Sequence, residues 1–481
     1  MPDTTLTWAS VAPAVGEIFL AFAICALLLI DVFAGERRRG LTPTFTLVLL
    51  AATAAVLVAW GAVSQRTVLF DGLYVEDPVG FVLKLAAIAF MAVALVYSRS
   101  YMELRGFARG EYYVLTLTAL LGIFVLVSAN SLLTVYIGVE LLALSVYAMV
   151  AFDRDNGTAA EAAIKYFVLG SIASGVLLYG MSIVYGITGT LSLDELAARL
   201  TAPGSGGVIL GVTFIVVAVA FKLGAVPFHM WLPDVYEGAP TSVTLFVATV
   251  PKIAYFSLVL RLITHGLSGV APDWITMLGA LAVLTVILGN VVAIAQTNLK
   301  RMLAYSAISN VGFIVLGFVA GTPAGYSAAL FYTLVYVLAT LGTFGVMLLM
   351  TQRGFEADKL EDYKGLYSRD PMLALVMMAL MFSTAGIPPF VGFWGKLAIL
   401  QALWATGHSA LVIIAAVVSV VGAFYYLRVV KLMYFDAPGA GQPLPEWQPG
   451  VRLAVGLNGL AAIGLGLLPG QLLALCMRVL G

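Results

Sequence analysis

Apolar stretches long enough to cross a lipid bilayer follow one another along nearly the whole chain, separated by short polar segments. Against the roughly 20 residues that a spanning helix needs, about fourteen such runs can be read, opening with residues 15–33, 41–63 and 78–97. After the charged loop 98–111 come 112–128, 131–152 and 161–187. A polar insert around Ser192-Leu193-Asp194-Glu195-Leu196 reads as a short surface helix with serine at its N-cap. Then follow a run from Gly207 and others at 239–263, 273–296, 299–320 and 323–350. The charged loop 351–370 precedes 371–404, and runs 409–434 and 451–479 close the pattern. The pattern predicts an all-α polytopic membrane protein.

Two of these runs carry residues that lipid-facing helices avoid. In Phe221-Lys222-Leu223-Gly224-Ala225-Val226-Pro227-Phe228-His229-Met230-Trp231-Leu232-Pro233-Asp234, a lysine, a histidine and two prolines follow the apolar run 208–220. A lysine at mid-helix costs about 2.5–3.5 kcal/mol on insertion scales, and an interior proline costs ~3 kcal/mol more. Such a segment is predicted to be a broken helix covered by other helices, because freed backbone groups are tolerated at membrane depth only where protein or water covers them. A weaker echo lies in Phe382-Ser383-Thr384-Ala385-Gly386-Ile387-Pro388-Pro389-Phe390.

Each motif falls in the fourth helix of a five-helix block. An odd block length reverses the second copy across the membrane, giving two inverted repeats, each with a broken helix. The predicted organisation is three N-terminal helices (1–111), a first repeat (112–264), a second, inverted repeat (265–434) and a C-terminal span (435–481).

Composition agrees with this class, with 62% hydrophobic and 10% charged residues against about 25% charged in a soluble domain. A net charge of zero removes the basic footprint that nucleic-acid binding requires. Cys25 and Cys476 each sit in an apolar run, and only His229, His265 and His408 are available. Neither a disulfide framework nor a redox centre held by this chain is expected. With Asp3 and no basic residue before the first run, the start lacks the leader of a cleaved signal peptide.

Numbering the loops alternately puts most loop arginines and lysines at one end, from Arg37, Arg38 and Arg39 through Lys300, Arg301 and Lys359 to Arg452. The other end holds only Arg66, Arg199 and Arg478. The positive-inside rule then places both termini outside, periplasmic in a bacterial inner membrane.

Within the spans lie Lys84, Lys165, Lys222, Lys252, Arg261 and Lys396, with Glu140 as a mid-span carboxylate. Lys84 and Arg261, near helix ends, are expected to snorkel. Burying the remaining lysines with Glu140 would cost more than ~10 kcal/mol unless they pair or are hydrated, so their helices should converge. Glu140 and Lys222 are expected to form a pair whose protonation switches with distance. His229 and Lys252 would continue the path between the two breaks, Lys396 would be its exit group, and Lys165 would tune or feed the pair.

The 221–241 segment, continuing as Asp-Val-Tyr-Glu-Gly-Ala-Pro-Thr, is similar to the signature of the antiporter-like subunits of proton-pumping NADH:quinone oxidoreductase, respiratory complex I. Leu299-Lys300-Arg301-Met302-Leu303-Ala304-Tyr305-Ser306 and Ala385-Gly386-Ile387-Pro388-Pro389-Phe390-Val391-Gly392-Phe393-Trp394-Gly395-Lys396 resemble it too. A lysine at position 396 sets the chain apart from M-type members, which usually carry glutamate there, and the lack of a long C-terminal lateral helix after Val479 sets it apart from the longer L-type ones.

The resemblance implies Glu140 and Lys222 as a coupled pair, Lys165 as modulator, Lys252 as central relay and Lys396 as terminal lysine. Asn310 stands where many relatives have histidine, which counts against a relay in that region. No cofactor is implied for this chain. NADH, FMN, iron-sulfur clusters and quinone would belong to partner subunits, and the neighbours would be the bilayer, an antiporter-like M subunit and small membrane subunits. Mrp-type cation/proton antiporters and membrane-bound hydrogenases share these motifs.

Overall fold

The computed structural model describes residues 11–34, 40–61, 65–106, 109–200, 206–439, 444–445 and 448–480; the expected Arg37–Arg39 cluster lies outside them. The spans open with α1 (Val15–Ala34), α2 (Thr42–Val56), α3 (Pro78–Leu104), α4 (Gly110–Val127), α5 (Leu132–Val150) and α6 (Gly157–Thr188). Next come α7 (Gly206–Leu223), α8 (Trp231–Gly238), α9 (Thr241–Ala248) and α10 (Pro251–Leu258), the last extended by a π-helical stretch Val259–Gly266. The chain continues with α11 (Ala271–Ile294), α12 (Leu299–Val319), α13 (Pro323–Met350), α14 (Pro371–Ala385) and α15 (Val391–Ala405). It ends in α16 (Ser409–Phe435), α17 (Pro449–Leu467) and α18 (Gly470–Leu480). Among the described residues, 13 helices are long and apolar enough to cross a membrane. The interrupted pair α14–α15, two apolar halves, makes a further crossing, in agreement with the hydropathy pattern.

The inverted repeat is visible in the backbone. At each break the last helical residue is followed by a glycine at positive φ, Gly224 at 78° and Gly386 at 87°, a conformation only glycine adopts without strain. The following amide reaches back five residues in both, Ala225 N to Ala220 O (2.8 Å) and Ile387 N to Phe382 O (3.0 Å), a Schellman-type helix end. A second correspondence lies at opposite ends of the molecule. The start of α5 is latched by Leu132 N to Leu191 O (2.9 Å) and Leu193 N to Asn130 O (3.0 Å). The start of α12 is latched by Leu299 N to Asp358 O (2.6 Å) and Leu360 N to Thr297 O (3.0 Å).

Four features depart from expectation. A small antiparallel hairpin, β1 (Thr67–Leu69) and β2 (Tyr74–Glu76), precedes α3; its turn holds Phe70, Asp71 and Gly72 at positive φ. The span expected to run unbroken over 239–263 is kinked at Thr249, φ −121° and ψ −85°, because Pro251 cannot donate to the turn before it. The last run, read as one span to residue 479, stops at Leu467; Pro469 intervenes and α18 is a separate short helix.

The fourth is the correction for Lys84 and Arg261, which do not snorkel. Lys84 is fully buried against Glu17 (2.6 Å) and Glu76. Arg261 makes a two-pronged pair with Asp77 (2.7 Å from Nη2 to Oδ1). Glu17 of α1 and Glu76 of the hairpin meet Lys84, and Asp77 at the start of α3 meets Arg261, so the charged heads find carboxylates before they reach water.

Candidate functional site

Glu140 lies two turns into α5, and Lys222 one residue before the end of α7. The structure brings them together, with Lys222 Nζ 3.9 Å from Glu140 Oε1 and the lysine only 3% exposed. Ser174, on α6, stands between them. Its hydroxyl donates to Glu140 Oε1 and accepts from Lys222 Nζ at 3.2 Å. Three helices thus contribute one group each to a carboxylate–hydroxyl–ammonium chain. Sequence reasoning missed Ser174, since nothing in its surroundings on a glycine- and alanine-rich helix separates it from a packing residue.

Lys252 is buried at the start of α10, just past the kink, and its Nζ donates to Leu223 O at 3.4 Å. That carbonyl closes α7, the helix that carries Lys222. Lys396, on α15, donates to Ala385 O at 3.0 Å and to Ser419 Oγ at 3.2 Å, and sits 5.0 Å from the centre of the Phe313 ring. Ala385 closes α14 as Leu223 closes α7. Each break therefore exposes a terminal carbonyl that a buried lysine satisfies.

Beside Lys396, α12, α13 and α16 contribute a connected set of polar groups. Tyr332 donates to Asn310 Oδ1 (2.6 Å), Asn310 Nδ2 donates to Ser306 O (2.8 Å), and Ser306 and Tyr426 share a hydrogen bond of 2.5 Å. Asn310, where a histidine was the alternative, is a buried hydrogen-bonding member of this set.

The remaining two candidates sit apart from the pair. His229 lies inside the first break, half-buried, with its ring edge-on to Tyr305 of α12 at 6.4 Å. Lys165 is 44% exposed and pairs with Glu161 and Asp234, each at 2.8 Å. It precedes Ser174 by nine residues on α6, about 13 Å along the axis at ~1.5 Å per residue. Asp234 also pairs with Arg301, which reaches Glu237 (2.8 Å). At the same end a polar cavity of about 310 Å³ is lined by Tyr101, Arg105, Glu237, Lys300, Glu356 and Asp358 among others. Among the described residues, no group of His, Cys, Asp or Glu is arranged to hold a metal ion.

Two inverted repeats, a broken helix in each and buried lysines at the breaks define an antiporter-like membrane subunit. The chain belongs to the NADH:quinone oxidoreductase/Mrp antiporter family, matching its transmembrane description over residues 129–422. It is 50% identical to NADH-quinone oxidoreductase subunit N of Nitrosomonas europaea, over 100% of this chain and 98% of that one. A chain of respiratory complex I from Thermus thermophilus shares 35% identity at a TM-score of 0.82, covering 95% of this chain and 98% of its own length. A chain of the Mrp complex from a Dietzia species has the same fold, with a TM-score of 0.85 at 21% identity, covering 98% of this chain and 97% of that one.

Proposed function

We propose that this chain is the N-type proton-translocating membrane subunit of a bacterial NADH:quinone oxidoreductase. In this reading NADH oxidation and quinone reduction, with their FMN and iron-sulfur clusters, take place in partner subunits, and this chain moves protons across the inner membrane. Its neighbours would be an antiporter-like M subunit and small membrane subunits, and both termini would face the periplasm.

The observation that carries the proposal is the Glu140–Ser174–Lys222 chain between the spanning helices α5, α6 and α7, joined through Leu223 O to Lys252. Opening the 3.9 Å gap between Glu140 and Lys222 removes the attraction that keeps both charged, so the lysine can pass its proton on. Lys252, at the carbonyl end of the same half-helix, is the next acceptor, and Lys396 with its hydroxyl cluster is the terminal group. His229 is assigned to the stretch between them. Lys165, through Asp234 and Arg301, is assigned to the feed from the cavity end.

The test is proton uptake by inverted membrane vesicles energised with NADH, for Lys222→Ala, Lys252→Ala and Lys396→Ala, each normalised to assembled complex. Loss of pumping in all three supports the assignment; full pumping in Lys222→Ala and Lys396→Ala together would remove it. Gentle solubilisation and capture of the chain separates the readings of the assembly. Co-purifying flavin, iron-sulfur clusters and NADH dehydrogenase activity mark the oxidoreductase, and sodium-dependent exchange without them marks an Mrp-type antiporter.

A further inference from the structure

A second group of ionisable side chains lies away from the Glu140–Lys396 path, where α1, the hairpin and α3 meet the end of α4. Lys84 Nζ is in contact with Glu17 (2.6 Å) and Glu76, and donates to Tyr74 Oη at 2.9 Å. Glu76 Oε2 also accepts from Tyr74 (2.8 Å) and Ser128 (3.2 Å). Glu17 is 8% exposed, Glu76 and Lys84 not at all. The neighbouring Asp77 and Arg261 satisfy each other and leave the charge of this group unaltered.

Two carboxylates therefore face one ammonium, and if all three were ionised the cluster would hold an uncompensated negative charge with no solvent to screen it. Such a charge is strongly disfavoured in a buried site and is removed by taking up a proton. Two oxygens have room for that proton: Glu17 Oε2 and Glu76 Oε1 are buried and find no hydrogen-bond partner among the described residues. We propose that Glu17 and Glu76 share one proton across the Lys84 ammonium, forming a second proton-holding site at the junction of the N-terminal helices with the first repeat. The proton arrives from water and forms one O–H bond on a carboxyl oxygen; no other bond is made or broken.

The site goes beyond the path proposed above and does not depend on it. Its three charged members stand on three separate elements, α1, β2 and α3. A shift of α1 that takes Glu17 from Lys84 alters the charge balance around the proton and so its retention. Tyr74, bonded to Glu76 and 3.3 Å from Pro13 O, ties the group to the residues just before α1.

Infrared spectroscopy of the intact, detergent-purified complex tests this directly. Subtracting the spectrum of Glu17→Gln from that of the native complex should reveal one carboxylic-acid C=O band, identified by its downshift in D2O. Glu76→Gln should remove the same band, because the remaining carboxylate then balances Lys84 and ionises. Lys84→Met, leaving two carboxyl groups and no ammonium, should add a second acid band. If the band survives in either glutamine variant, the shared proton is overturned. Should Lys84→Met fail to assemble, the two isosteric glutamine variants decide alone.

Discussion

Replacing Ser174 by alanine separates the chain Glu140–Ser174–Lys222 from the simple ion pair that the sequence suggests. At 3.9 Å two unit charges attract by about 4 kcal/mol at an effective dielectric near 20, and this attraction survives the substitution. What is lost is the hydroxyl's bond to the carboxylate and its acceptance from the ammonium. A hydrogen bond to a charged group is worth about 1.5–3 kcal/mol. If that loss falls on the proton-transfer step, the rate drops roughly ten- to a hundredfold at ~1.4 kcal/mol per decade. Lys222→Ala removes both the attraction and the hydrogen bond and should be the more severe. The assay is vesicle acidification on NADH addition, scaled to quinone reduction by the same membranes. The expected order is native, then Ser174→Ala, then Lys222→Ala. Native pumping in Ser174→Ala would show that the serine is a packing residue, and a defect equal to that of Lys222→Ala would show that the charges do not couple across the gap.

Other expectations follow from groups outside that chain. Asp77→Asn strands Arg261 with no compensating carboxylate and should cost about 3–5 kcal/mol of stability, seen as a lower melting temperature of the complex; the double variant with Arg261→Met should recover most of it. Lys165→Gln should slow vesicle acidification by up to about fivefold, because exposed ion pairs contribute only ~0–1 kcal/mol; fully native acidification would remove Lys165 from the feed, and a loss matching Lys222→Ala would place it in the path itself. Asp194, at the loop end of the first repeat, is raised by its partial burial but held down by Arg66, Asn130 and His265, to about 2. A carboxyl depressed below its free value near ~3.9 contributes stability that is complete above that value and is lost as pH falls toward 2. Proteolysis of the 189–200 segment should therefore accelerate between pH 4 and about 2 in the native protein, and Asp194→Asn should show the faster cleavage already at neutral pH.

Hydropathy makes the spans legible because a lipid-facing or core-facing helix must be apolar along ~20 residues, and the breaks are legible because glycine and proline act locally. Gly224, Gly386 and Pro227 therefore mark them without reference to the rest of the fold. The Glu140–Lys222 pairing follows from charge cost, since few partners exist. What hydropathy does not carry is direction around a helix axis when every face is apolar. Depth alone assigns Lys84 and Arg261 to water, whereas Glu17 of α1 and Glu76 of the hairpin hold Lys84 and Asp77 at the start of α3 holds Arg261. Ser174 and Ser419 are small residues among many, and only their three-dimensional neighbours distinguish them. The hairpin strands are three residues each, too short to show alternation.

The two breaks explain why lysine, rather than another polar residue, occupies the interior. Ending a helix inside the bilayer leaves carbonyls without amide partners and a partial negative charge of roughly half an electron at the C-terminus. Lys252 meets this charge at Leu223 O and Lys396 meets it at Ala385 O, so the helix end offsets part of the cost of burying an ammonium. The two lysines come from different places. Lys252 is on the next helix, past the kink at Thr249, and Lys396 is on the second half of its own broken helix. The repeat carries the paired breaks and their Schellman ends, but it does not place equivalent lysines there. The same electrostatic demand has been met twice by different routes. The lysine at each break is therefore tied to the helix terminus it faces, and a motion that draws Leu223 O or Ala385 O away from its ammonium removes the interaction that favours the bound proton.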